Sequence, residues 1–181
     1  MNALTIAVIG AGSAGRGIAR DTARAGYRTI LEDLLPAILR QAESEIRQDL
    51  SQAAGNAGPE AAAALARVEY ASSVEQAARQ ADLVIECVPD ELESKLEIFI
   101  LLDKICRPHT ILASTASSLS IGEISSVTYR AHKCVGLRFE ESKLEVVRGE
   151  MTDEQTVSAC VELGQRMKKQ VVVIEDSADP L

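Results

Sequence analysis

The chain has 181 residues, 46% of them hydrophobic but only 3% aromatic, with no tryptophan and a formal net charge of −8. That length favours a single domain over residues 1–181, and a core limited to Val, Ile, Leu and Ala suits an α/β sandwich. The acidic balance argues against nucleic acid, because neutralising phosphates needs clustered Lys and Arg, and no uninterrupted apolar run reaches membrane-spanning length. The N-terminus passes straight into a strand without a basic leader or cleavage signal. The cysteines at 87, 106, 134 and 160 form no C-x-x-C pair. The expectation is therefore a cytoplasmic protein with buried, reduced thiols and no metal site.

The chain opens with an apolar, β-branched run, LTIAVI, as in a strand buried on both faces of a parallel sheet. Gly10-Ala11-Gly12-Ser13-Ala14-Gly15 follows, then a helical pattern with Ile18, Ala19, Thr22 and Ala23 on one side and Gly26 as its C-cap. A second strand, Thr29-Ile30-Leu31, ends in Glu32-Asp33. In this order the residues form a dinucleotide fingerprint. Gly10 permits the tight turn, Gly12 lets a pyrophosphate approach the backbone, and Gly15 lets helix and strand pack closely. The helix start at Ser13 and Ala14 offers N–H groups and a partial positive charge to phosphates. Asp33, at about the expected interval of roughly 20 residues, can accept from the adenosine ribose hydroxyls and would repel a 2′-phosphate, which points to NAD rather than NADP. FAD is the main rival ligand, since flavoproteins use the same fingerprint.

Residues 36 to about 66 read as a helical hairpin after the second strand. Ile38, Ala42, Ile46 and Leu50 fall at helical spacing, Glu43 and Arg47 form an i,i+4 pair, GNAG breaks the helix at 55–58, and Pro59 starts another. Its sparse apolar content suggests an exposed arm. RVEY is a short strand, and Ser72 with Glu75 a capping box. LVIECV is the next buried strand, after which Asp90 and Glu93 mark a helix start carrying Leu92, Leu96, Phe99, Ile100 and Leu102. TILA is a strand, residues 114–118 a polar loop, and Ser120 with Glu123 caps another helix. CVGL and LEVV are strands, Thr152 and Gln155 box a helix to about Met167, and QVVVI is a last strand. The alternation predicts a Rossmann-type doubly wound, mostly parallel sheet of about eight strands with right-handed crossovers and a helical arm after the second strand.

The run from VIGAGSAGRGIA through ADLVIECVPDELESK, ILASTASSLSI and KLEVVRGEMT to QVVVIED resembles the NAD-binding domain of the 3-hydroxyacyl-CoA dehydrogenases over essentially the whole chain. The resemblance implies a function in fatty acid metabolism: oxidation of a 3-hydroxyacyl-CoA to the 3-ketoacyl-CoA, with hydride passing to NAD. By position it implies that Gly10, Gly12 and Gly15 hold the pyrophosphate and Asp33 the adenosine ribose. Asp90 would lie near the nicotinamide ribose, Lys95 close to the cofactor, and Ser117 against substrate. Glu145 matches the carboxylate that orients the family's catalytic histidine.

The departures from the family pattern fall on the chemistry. Where the family loop reads Asn-Thr-Ser-Ser-Leu, this chain has Thr115 and Ala116 before Ser117; where the family has Gly-Leu-His-Phe-Phe-Asn-Pro, it has Gly136-Leu137-Arg138-Phe139-Glu140-Glu141-Ser142. Arg138 thus replaces the histidine, and arginine cannot act as a base because its pKa stays above about 12. It can hold an anion or pair with Glu140 or Glu145. His109 and His132 are expected in exposed loops away from the cofactor, and Tyr129 shares that placement. The resemblance further implies a C-terminal helical domain that completes the acyl-CoA site and makes the dimer, which these residues do not include; its hinge is replaced by Asp176-Ser177-Ala178-Asp179-Pro180-Leu181. Two readings follow: a relative that binds NAD(H) without catalysing, as a redox sensor or partner subunit, and a working dehydrogenase completed by another chain or segment. A homo-oligomer is compatible with either, and a FAD- or SAM-binding Rossmann protein is a third reading.

Overall fold

A computed structural model of the chain describes residues 4–53 and 58–176. Its elements fall into two compact units, one ending at Cys87 and the other starting at Val88.

The first unit runs β1 (Thr5–Ile9), α1 (Ser13–Arg24), β2 (Arg28–Glu32), α2 (Pro36–Ala53), α3 (Pro59–Leu65), β3 (Val68–Ala71), α4 (Val74–Ala78) and β4 (Leu83–Glu86). Its strands lie in the order β3-β2-β1-β4, all parallel. Every residue of β1 is buried, as the unbroken apolar run requires of a strand covered on both faces. α1 buries Ile18, Ala19, Thr22 and Ala23, and Gly26, at φ 95°, turns the chain into β2. Thr22 Oγ1, buried under that helix, lies 2.9 Å from the Ile18 carbonyl and 3.0 Å from Thr29 Oγ1 on β2. The arm expected to be exposed does keep most of α2 at the surface, but it buries one face. Ala42, Ile46 and Leu50 on α2 are fully buried, and α2 packs on both α1 and α3. Arg16 and Arg20 of α1 bind Glu45 and Asp49 of α2, each at 2.7 Å. These two ion pairs supplement the narrow apolar stripe in joining the helices. Of the expected break at 55–58, residues 55–57 lie outside the described residues, and Gly58 directly precedes α3.

The second unit runs α5 (Leu92–Ile105), β5 (Ile111–Ser114), α6 (Ile121–Ser125), a 3-10 turn (Ala131–Lys133), β6 (Cys134–Phe139), β7 (Lys143–Arg148), α7 (Glu154–Arg166) and β8 (Gln170–Glu175). Its strand order is β5-β6-β7-β8, with β6–β7 an antiparallel hairpin and the other pairs parallel. Leu112, Val135, Leu137, Leu144, Val146 and Leu163 form its core. α7 sits close on the strands because Gly164 leaves room: a Cβ there would lie 2.5 Å from Val171 Cγ2. Eight strands alternating with helices, parallel within each unit except for one hairpin, make the mostly parallel, doubly wound α/β class.

Three helix starts differ from expectation. Ser73, not Ser72, caps α4 by accepting from the Gln76 N–H. Asp153, not Thr152, caps α7, because the Thr152 hydroxyl is engaged by the Cys134 carbonyl at 2.6 Å and the Gly149 N–H at 2.9 Å. Glu91, not Asp90, precedes α5, and makes no side-chain cap. Among the described residues no helix is long and apolar enough to cross a membrane, and no cluster of His, Cys, Asp and Glu is placed to hold a metal ion. Cys106, Cys134 and Cys160 are buried free thiols, pushed up by burial to about 11, 11 and 12.

Candidate functional site

In the first unit the carboxyl ends of β1 and β2 meet the start of α1. Gly10 takes φ 99°, a conformation that disfavours side chains, and its N–H donates to the Glu32 carbonyl at 2.9 Å. A Cβ at Gly15 would lie 1.8 Å from the Gly10 carbonyl oxygen, so only glycine lets α1 pass so close to the turn. At Gly12 the opposite holds: an added Cβ would meet nothing within 4 Å. Gly12 is the N-cap of α1 and offers no side-chain cap. The first-turn N–H groups at Ser13 and Ala14 therefore face open space, with the helix dipole behind them. Asp33 is fixed beside this turn, its Oδ2 accepting from the Ala11 N–H at 3.1 Å and its Oδ1 from the Leu35 N–H at 2.9 Å. Room above Gly12, uncapped amides and an anchored carboxylate fit a dinucleotide pyrophosphate and ribose.

Glu32, the residue before Asp33, is 2% exposed, and its Oε1 has no hydrogen-bond partner among the described residues. Burial and then the adjacent Asp33 carboxylate push it up to about 7. The sequence did signal this side chain, since it follows Ile30 on the same face of an apolar strand.

In the second unit a continuous polar chain joins the remaining candidates. The Asp90 carboxylate accepts from the Ser117 hydroxyl at 2.6 Å and the Ser117 N–H at 3.2 Å. Lys95, 1% exposed on the inner side of α5, places Nζ 3.3 Å from the Val88 carbonyl and 3.8 Å from Asp90 Oδ1. Partial burial works against the charge of Asp90, but the Ser117 hydrogen bonds and the Lys95 ammonium hold its carboxyl below the ordinary value. Ala116 is buried, and its carbonyl accepts from Arg138 Nε at 3.3 Å. Arg138 Nη1 lies 3.9 Å from Glu145 Oε2, and Glu145 also takes the Lys143 ammonium at 2.8 Å. That hydrogen bond from Lys143, with Arg138 adding less, lowers the Glu145 carboxyl. Of the two expected ion pairs for Arg138, the one with Glu145 is present.

Among the described residues, neither histidine takes part in these contacts. His109 and His132 are both exposed. His132 lies in the turn before β6, and about 13 Å of extended strand separates Cys134 from Arg138. Tyr129 is fully exposed. The β6–β7 turn is short: the Glu140 N–H donates to the Lys143 carbonyl at 2.9 Å, and Lys169 Nζ ties down the carbonyls of Glu140 and Glu141 at 2.6 and 3.0 Å.

The chain as a whole matches known proteins. The family model described as "3-hydroxyacyl-CoA dehydrogenase, NAD binding domain" matches residues 5–177. The chain is 35% identical over 179 residues to a probable 3-hydroxybutyryl-CoA dehydrogenase of Bacillus subtilis (strain 168), covering 94% of this chain and 62% of that protein. It is 30% identical over 185 residues to the mitochondrial hydroxyacyl-coenzyme A dehydrogenase of Homo sapiens, covering 95% and 59%. The crystal structure of 3-hydroxybutyryl-CoA dehydrogenase from Escherichia coli K12 superposes with a TM-score of 0.93 at 30% identity, over 98% of this chain and 39% of that one. The chain thus spans about three fifths of the length of the two curated relatives.

Proposed function

We propose a function for a chain that belongs to the 3-hydroxyacyl-CoA dehydrogenase NAD-binding domain family, with NAD as its cofactor: it binds NAD(H) as one domain but does not by itself oxidise a 3-hydroxyacyl-CoA. Gly10, Gly12, Ser13, Ala14 and Gly15 hold the pyrophosphate, Asp33 the adenosine ribose, and Asp90 with Lys95 the nicotinamide end. NAD supplies the hydride acceptor. The chain must supply the base that takes the hydroxyl proton, and neutral imidazole is the group that does so near pH 7.

The observation that carries this reading is Arg138. It occupies the position that the family resemblance gives to the histidine, and its guanidinium lies against Glu145 and the Ala116 carbonyl. A permanent cation there can orient an anion but cannot accept a proton. Ser117 donates its hydroxyl hydrogen to Asp90, so it can accept from a substrate hydroxyl but is not poised to deprotonate one. A non-catalytic, cytoplasmic NAD-sensing or partner-binding role follows.

A second reading is favoured by the intact Asp90–Ser117 pair and by the chain's spanning three fifths of its relatives. Here an active dehydrogenase is completed by another chain or segment that brings the base and closes the acyl-CoA site. The test of the cofactor half is titration of NADH into the protein and into Asp33→Ala. Tight binding weakened by the substitution supports it, and equal affinity removes Asp33 from the site.

A further inference from the structure

Glu32 sits where a carboxylate is costly. The register sets it level with Ile9 on β1, and Ile9 level with Glu86 on β4, so the three form one row at the carboxyl end of the sheet and point to one face. Glu32 and Glu86 are 2% and 0% exposed. The backbone of Glu32 is part of the phosphate turn, since its carbonyl accepts from the Gly10 N–H.

Among the described residues, no cation on the neighbouring elements pairs with it. On α1, Arg16 and Arg20 are bound to Glu45 and Asp49, Asp21 is bound to Arg20, and Arg24 lies at the far end of the helix. On α4, Arg79 pairs with Glu75; on β3, Glu69 pairs with Arg28. β1 carries no charge, β4 adds only the Glu86 carboxyl, and the next residue is Asp33. A buried carboxyl with an unpartnered oxygen, next to the Asp33 carboxylate, avoids its charge by keeping its proton.

We propose that Glu32 couples cofactor binding to proton uptake: the dinucleotide complex holds it as the neutral carboxylic acid, and the ionised form opposes binding. The inference rests on the NAD-binding reading. A pyrophosphate on the Gly10–Gly12 turn adds negative charge beside a carboxyl that already resists ionisation, so each binding event above neutrality draws in a proton. Burial, and then the adjacent Asp33 carboxylate, push the carboxyl up to about 7, inside the range where binding can be measured.

The experiment is calorimetric titration of NADH into the full chain from about pH 6 to about pH 9, in two buffers of different ionisation enthalpy. Proton uptake is expected to rise toward one per site above neutrality, with affinity falling by up to about tenfold per pH unit. Glu32→Gln, which mimics the neutral acid, should bind NADH with little pH dependence. NADH binding without proton uptake, or the same pH slope in Glu32→Gln, would overturn the inference while leaving the cofactor reading intact. No NADH binding at any pH would overturn both. If Glu32→Gln does not fold, the proton count on the unaltered chain decides alone.

Discussion

Arg138 and Glu145 face each other directly across the antiparallel β6–β7 ladder, with Nη1 3.9 Å from Oε2. The same carboxylate is held at 2.8 Å by Lys143 on its own strand. A histidine placed at 138 would therefore meet a carboxylate already committed to an ammonium, in a hairpin pinned by Lys169. We expect Arg138→His alone to give no measurable acetoacetyl-CoA reduction with NADH. Turnover by that single variant would mean that the identity of residue 138 is all that separates this chain from an active dehydrogenase.

The two fingerprint glycines should fail in different ways. Gly12→Ala puts a methyl group into open space, so the fold should melt near the wild-type temperature while NADH binding weakens by tenfold or more, a loss of roughly 1.4 kcal/mol. Gly15→Ala drives a methyl group onto the Gly10 carbonyl and should lower the melting temperature as well. Melting curves and titrations of the pair check this. A Gly12→Ala protein that binds normally would move the phosphates away from that turn.

The fold was legible because its signals repeat across levels. The apolar run of β1, the glycines and the period of α1 all specify one β-turn-α unit, and Gly26 adopts the left-handed conformation its position called for. Cap positions slipped by one because adjacent polar residues compete. Asp153 is as good an N-cap as Thr152 or better, and only the folded chain shows that Cys134 claims the threonine hydroxyl. The packing of α2 on α1 was hidden because Arg16 and Arg20 find partners more than twenty residues away, which no local pattern reports. Lys95 drew attention only through the family resemblance, because no local pattern reports that its side chain turns inward to Val88 and Asp90.

Glu32 should also make stability fall with pH. Its folded value, about 7, is raised above the ordinary 4.5, so its contribution is fully present below the ordinary value and is lost as pH rises through about 7. The wild-type melting temperature should decline across that interval more steeply than that of Glu32→Gln. Parallel curves would mean that the carboxyl ionises without cost.

Arg130 locks the end of α5. Its Nε donates to Asp103 Oδ1 at 2.7 Å, and its remaining nitrogens reach the carbonyls of Asp103, Cys106 and Arg107. Both charged side chains are largely covered. Arg130→Ala should leave the Asp103 charge with only the Tyr129 N–H to hold it and cost about 3 kcal/mol, read by urea denaturation. A loss within about 0.5 kcal/mol, as at an ordinary surface site, would contradict this.

The most direct measurement is acetoacetyl-CoA reduction by the purified chain at NADH concentrations that titration has shown to be saturating. NADH binding with no turnover above the uncatalysed rate is the expected result. Saturable turnover that depends on bound NADH would contradict it and require a base other than the residue at position 138.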